Sequence, residues 1–115
     1  MLYVDGGNNR VGIGTSTPGY KLDVCGAIRA KEVKVETGWC DYVFEKEYNL
    51  RSLDEVESHI KQHKHLPDIP SAKEIEKNGL SVAEMMAKQM QKIEELTLYV
   101  IELQKRIAVL EKNNN

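Results

Sequence analysis

The chain has 115 residues, of which 30% are charged and 6% aromatic, so one copy supplies material for only a thin core. Its formal net charge of −2 gives no electrostatic reason to expect nucleic acid or an anionic membrane as partner. No apolar run approaches the roughly 20 residues that span a bilayer, and MLYVDGGNNR lacks the basic and apolar regions of a signal peptide.

Residues 1 to 50 show no helical period. Leu2 and Val4 alternate before the turn-forming run Asp5 to Asn9. Val11 and Ile13 alternate next, each followed by glycine, and Thr15 to Gly19 (T-S-T-P-G) is a second turn. Leu22, Val24, Ile28 and Ala30 then share one face at period two. Val33 and Val35 fall out of phase with them, so Lys31–Glu32 should be a bulge, a corner or a strand end. Such short strands have no second layer within one chain, and their pairing is expected between chains. Trp39, Tyr42 and Phe44 are expected to form a small core joining strands to helices. Cys25 and Cys40 are read as small, partly buried side chains, because neither sits in C-x-x-C or zinc-ligand spacing.

From Ser52 the pattern changes. Ser52 with Glu55, Ser71 with Glu74 and Ser81 with Glu84 each have capping-box spacing, which predicts three helices. The first should end before L-P-D-I-P (Leu66 to Pro70), expected to run extended. The second should end at Asn78–Gly79. In the third, Ile93, Val100 and Ile107 occupy heptad position a, and Leu96, Leu103 and Leu110 occupy d. Val82 and Gln89 carry the d series backward, and Met86 lies at a. Leu98 and Ile101 form a second stripe, expected to be covered by the short helices. A helix from Ser81 to Lys112 would be about 48 Å long, too long to be covered by the rest of the chain.

Isoleucine or valine at a with leucine at d favours two strands. The closing motif R-I-A-V-L-E favours three. It resembles the Arg-h-x-x-h-Glu trimerisation motif, with Arg106 at g and Glu111 at e. An arginine at g can lay its stem over a neighbour's apolar seam and pair its planar fork with a carboxylate there. The expected interface is Val82, Met86, Gln89, Ile93, Leu96, Val100, Leu103, Arg106, Ile107, Leu110 and Glu111. Gln89 is the polar layer of that seam, which sets register and on a threefold axis could also hold a water or an anion.

V-G-I-G-T…P…K-L-D-V (Val11 to Val24) and H-L-P-D-I-P-S-A (His65 to Ala72) resemble the C-terminal region of bacterial and phage tail-fibre proteins, and the likeness covers nearly the whole chain. Cys25 and Cys40 depart from its usual pattern. The resemblance implies a homotrimeric fibre end made in the cytoplasm and joined to upstream fibre segments, with binding of a host-surface glycan as an alternative role. It places the chain in a virion tail fibre or other extracellular fibre. The layout is also similar to the endosialidase-type intramolecular chaperone, which cleaves itself at a Ser-Asp junction. The corresponding stretch here is T-G-W-C-D-Y, without Ser-Asp, so self-cleavage is not expected.

The predicted fold class is α+β: an elongated homotrimer with an N-terminal interchain β shaft (1–50), short capping helices and a Pro-rich connector (51–80), a parallel three-stranded coiled coil (81–112) and a disordered tail (113–115). No enzymatic activity, cofactor, metal, nucleic acid or membrane insertion is expected. Gly12 and Gly14 do not extend to a dinucleotide fingerprint, since Thr17 stands at its third glycine and no helix follows. His59, His63 and His65 are read as solvated or packing side chains. The carboxylates are read as solvent-facing or paired with lysine.

Overall fold

A computed structural model describes residues 1–114. The chain is α+β, with three strands and three helices, and it forms two compact units, Met1–Lys34 and Val35–Asn115.

The first unit is a single sheet of β1 (Leu2–Asp5), β2 (Arg10–Ile13) and β3 (Leu22–Val24), in that order. β1 and β2 form an antiparallel hairpin with Leu2 opposite Ile13 and Val4 opposite Val11. Its turn is held by Asp5, whose carboxylate accepts from the Asn8 backbone N–H at 3.2 Å and from Asn8 Nδ2 at 2.9 Å. β3 lies parallel to β2, with Val11 opposite Leu22 and Ile13 opposite Val24. The connection through residues 14–21 has its own bonds: the Gly19 N–H donates to Asp23 Oδ2 at 2.9 Å and Arg10 Nη1 to the Pro18 carbonyl at 3.1 Å.

The V-G-I-G spacing has a steric cause. A Cβ on Gly12 would run into the Thr15 carbonyl oxygen, and Gly14 has φ +76° beside the Cys25 carbonyl. The three strands pair with one another within the chain. The hairpin turn and the short return loop bring β1 and β3 to opposite edges of β2, which supplies local partners that period-two alternation does not reveal. Leu2, Val4, Val11, Ile13, Leu22 and Val24 share one face by this register. Ile28, Val33 and Val35 lie beyond the last strand and are exposed, since no neighbouring strand takes up their backbone groups.

The second unit contains α1 (Leu53–His63), α2 (Ala72–Asn78) and α3 (Val82–Asn113). The three capping boxes form to different extents. Ser52 accepts from the Glu55 N–H without the return bond, Ser71 and Glu74 form both halves, and Ser81 makes no side-chain cap. Glu84 instead pairs forward with Lys88 at 3.3 Å. α1 ends in a left-handed Lys64, φ 63°. Leu66 to Ile69 turns rather than running extended: the Ile69 N–H bonds to the Leu66 carbonyl at 3.3 Å, with Pro67 and a left-handed Asp68 (φ 67°) between them. α3 continues through Asn113, one residue into the segment expected as tail, and Asn115 lies outside the described residues.

Residues 35–50 belong to this second unit. Its buried apolar residues are Cys40, Val43 and Tyr99. Trp39, Tyr42 and Phe44, expected as the core here, are exposed. Cys40 and Val43 take the inward positions of that stretch, while Cys25 in the first unit is exposed rather than partly buried.

Candidate functional site

The a and d positions of α3 form an uncovered apolar stripe along the helix. Val82, Met86, Ile93, Leu96, Val100, Leu103, Ile107 and Leu110 are all exposed, as is Gln89 in the polar layer. Leu96 and Leu110 retain 60% and 62% of their accessible surface. A 3.5-residue repeat keeps these side chains on one slowly winding face. From Val100 to Asn114 every residue is exposed, so this end of α3 has no cover within its own chain. An exposed apolar stripe of this length is a candidate interaction surface.

The face covered by the chain is the other one, and it is mainly polar. Gln91, Lys92, Glu94 and Glu95 are buried, with Tyr99 beside them. In heptad terms these are f, g, b, c and g, away from the seam. Leu98 is half-buried, but Ile101 is exposed, so the second apolar stripe expected there is covered only in part. Of the carboxylates, Glu95 pairs with Lys92 but is buried, and Glu94 is buried rather than facing solvent.

Three connected groups bind this polar face. The Tyr48 hydroxyl donates to Glu95 Oε1 at 2.6 Å, and Gln91 Nε2 donates to Tyr48 at 3.0 Å. Lys92 Nζ lies between two carboxylates, 3.2 Å from Glu95 Oε2 and 3.2 Å from Asp68 Oδ2. Asp68 in turn takes two hydrogen bonds from Arg51, at 2.8 and 3.3 Å. The Tyr99 hydroxyl closes the set by donating to the Arg51 carbonyl at 2.7 Å. The buried Lys92–Glu95 pair is tolerated here because the ammonium meets two carboxylates, whereas buried Glu94 keeps an Oε2 without a hydrogen-bond partner among the described residues. The left-handed Asp68 is part of the geometry, since the turn presents its carboxylate to both Arg51 and Lys92.

The protonation equilibria follow these contacts. The Arg51 hydrogen bonds, with Lys92 in support, hold Asp68 below its ordinary value. Burial and the Glu95 hydrogen bond push Tyr48 up to about 12. Burial also raises Tyr99.

Of the motif R-I-A-V-L-E, Ile107 and Leu110 lie in the exposed seam. Arg106 pairs within its helix with Glu102 at 3.2 Å and remains largely solvent-exposed, at 71% of its side-chain surface. Glu111 enters no ion pair among the described residues.

The exposed a/d stripe was legible in the sequence, whereas the polar cluster was not. Its members come from positions 48, 51, 68, 91, 92 and 95. The available signal was Tyr99 at a g position, an aromatic side chain off the a/d stripe between the charged g residues Lys92 and Arg106.

Comparison of the chain with family models, with curated proteins and with solved structures finds no match. No helix among the described residues is long and apolar enough to cross a membrane.

Proposed function

We propose that this chain is a structural self-association module, a parallel homotrimer whose long helices form a three-stranded coiled coil at the end of a fibre. The observation that carries this reading is the exposed a/d stripe from Val82 to Leu110, set on a helix whose other face is occupied by the chain's own polar cluster. Burial of apolar surface, at about 25 cal/mol per Å², is the driving force for covering that stripe. Identical helices supply matching stripes at matching heights, with Gln89 as the layer that sets register. Arg106 at g favours three chains, because it can exchange its Glu102 partner for a neighbour's Glu111 while its stem covers the seam. Tail-fibre function rests on the resemblance of the Val11–Val24 and His65–Ala72 motifs, and host attachment is the role that would follow.

Light scattering or native mass spectrometry of the chain tests the assembly. A threefold mass at micromolar concentration is expected, with Leu103→Asp returning it to the monomer mass. A monomer mass for the unaltered chain would refute self-association, and a dimer mass would refute the trimer.

A second reading, glycan recognition, is favoured by one feature. An open groove of about 690 Å³ is lined by Tyr42, Tyr48, Asn49, Arg51 and Asp68 among others. The Tyr42 and Tyr48 rings lie 5.8 Å apart, and an aromatic face beside amide and guanidinium donors is suited to a sugar ring. A glycan array is the direct test: retention of a glycan that is lost in Tyr42→Ala supports this role, and an empty array removes it.

A further inference from the structure

Three imidazoles meet where α1 ends. His59 and His63 stand one turn apart on α1, and the left-handed Lys64 turns the chain before His65. The ring centroids are 4.4 Å apart for His59 and His63, 5.4 Å for His59 and His65, and 6.0 Å for His63 and His65. Neutral rings pack at such distances. Like charges within roughly 4–6 Å disfavour one another, so the same rings repel when each carries a proton. The negative C-terminal end of α1 favours a cation beside it, which offsets the charge on one ring rather than on three. The other charged groups near His59 are Arg51 and Asp68, which are bonded to each other at 2.8 Å. Glu55, one turn before His59 on α1, is exposed and enters no ion pair among the described residues.

His59 fixes the direction of the effect. Its Nε2 is buried and has no hydrogen-bond partner among the described residues. A neutral imidazole can leave a lone pair there, with its proton on Nδ1. An imidazolium carries N–H on both nitrogens, so charging His59 would bury a donor with no acceptor, which is costly. Burial accordingly holds His59 below its ordinary 6.5, with His63 and His65 next in effect and Arg51 adding to them, while Asp68 acts the other way. His65 Nδ1 lies 2.9 Å from the Leu66 carbonyl oxygen. A carbonyl only accepts, so the neutral ring carries its proton on Nδ1 and takes a second one on Nε2.

The geometry points to an acid-sensitive latch formed by His59, His63 and His65: the neutral rings pack the end of α1, and their protonation separates them and loosens that end together with the turn through Asp68. Asp68 follows His65 after only Leu66 and Pro67, and it braces Arg51 and Lys92 on the back of α3. Displacing the turn slackens that brace and leaves the a/d stripe untouched. A base whose folded value is depressed favours the neutral state when folded. Its stabilisation is complete above the unfolded 6.5 and is lost as pH falls from there through the folded value. This window lies above that of Asp68, whose folded value is below 3.8, so the two acid effects are separable. All members belong to one chain, so the latch stands or falls separately from the trimer.

The test is a titration of the tag-free full chain from about pH 8 to about pH 4.5. Imidazole nitrogen chemical shifts report the rings, and amide hydrogen exchange, corrected for its intrinsic pH dependence, reports local opening. His59 is expected to protonate below 6.5. As it does so, the Lys64 and Ile69 amides, which bond to Ile60 and Leu66, should lose protection about tenfold or more, since one unit of pKa difference is a factor of ten. The Leu103 amide within α3 should keep its protection. In His63→Gln/His65→Gln, where neither side chain can charge, His59 should protonate at higher pH and the acid loss of protection should shrink severalfold. If this double variant fails to fold, as its circular dichroism would reveal, His63→Gln at the exposed position decides. Gln62→Ala should behave as the unaltered chain. The latch is overturned by a His59 ring that titrates as freely as in the unfolded chain, or by unchanged protection at Lys64 and Ile69. Equal loss at Leu103, or an acid loss that persists in full without His63 and His65, overturns it as well.

Discussion

The Tyr48 hydroxyl donates a 2.6 Å hydrogen bond to Glu95 Oε1 from 47 positions away in the chain. It ties the irregular segment before α1 to the back of α3, on the side opposite the apolar seam. Because Glu95 also holds Lys92, loss of the tyrosine hydroxyl leaves the carboxylate paired but one donor short. Tyr48→Phe should destabilise the second unit by about 1–2 kcal/mol, measured by urea unfolding.

The same bond has a pH signature. Tyr48 is held neutral in the folded chain, with its ionisation pushed from 10.0 to about 12. Its contribution to stability is complete below the unfolded value and is lost as pH rises through the interval between the two values. The unaltered chain should lose stability over this interval more steeply than Tyr48→Phe, as followed by circular dichroism at fixed urea. Parallel curves would show that the hydroxyl is ionising as freely as in the unfolded chain.

Asp68 gives the opposite slope. Its folded-state ionisation lies below the ordinary 3.8 because of Arg51 and Lys92. The stabilisation is present above the unfolded value and disappears as pH falls through the folded one. Asp68→Asn keeps a residue that tolerates φ 67° but removes the charge. Since the side chain is 39% exposed, solvent screening limits the loss to about 1 kcal/mol at neutral pH. The acid limb of the stability curve should flatten in the variant, and a retained acid limb would assign it to other carboxylates.

In the first unit, Gly12→Ala should be disruptive, because the new methyl group meets backbone at the Thr15 carbonyl rather than a movable side chain. A cost of about 1–3 kcal/mol is expected, with faster hydrogen exchange at the Val11 and Cys25 amides, which bond to Lys21 and Ile13. Gly6→Ala, where an added Cβ meets nothing within 4 Å, is the control.

The proposed trimer predicts a difference between two adjacent cations. Arg106 at g would cover a neighbour's seam and pair with its Glu111, whereas Lys105 at f would face water. Arg106→Ala should lower assembly stability by about 1–3 kcal/mol per trimer, since exposed pairs contribute little singly and three would break together. Lys105→Ala should be close to neutral. Thermal melts at one protein concentration and two salt concentrations separate the ion pair, which salt screens, from the covering of apolar surface, which remains. Equal melting points for the two variants would leave Arg106 as nothing more than the in-helix partner of Glu102.

The sequence by itself determined the local elements. The caps and glycines located α1, α2 and the start of α3 to within a residue or two, and the 3.5-residue repeat identified the exposed seam from Ile93 to Leu110. These signals are legible because a helix repeats its geometry over neighbouring residues, so a face can be read from spacing alone. The same signals were insufficient where the outcome depended on distant groups. Alternation located β1, β2 and β3 but did not reveal that they pair with one another within the chain, which depends on the specific path of the Thr15–Gly19 loop. Spacing allowed Glu95 to face solvent or pair with lysine; tertiary structure buried it with Lys92 by bringing Tyr48 and a left-handed Asp68 to the back of α3. The physical reason is that desolvating a charge depends on which partner arrives in space. Residues 48, 68 and 95 carry no mutual spacing in the chain from which that meeting could be inferred.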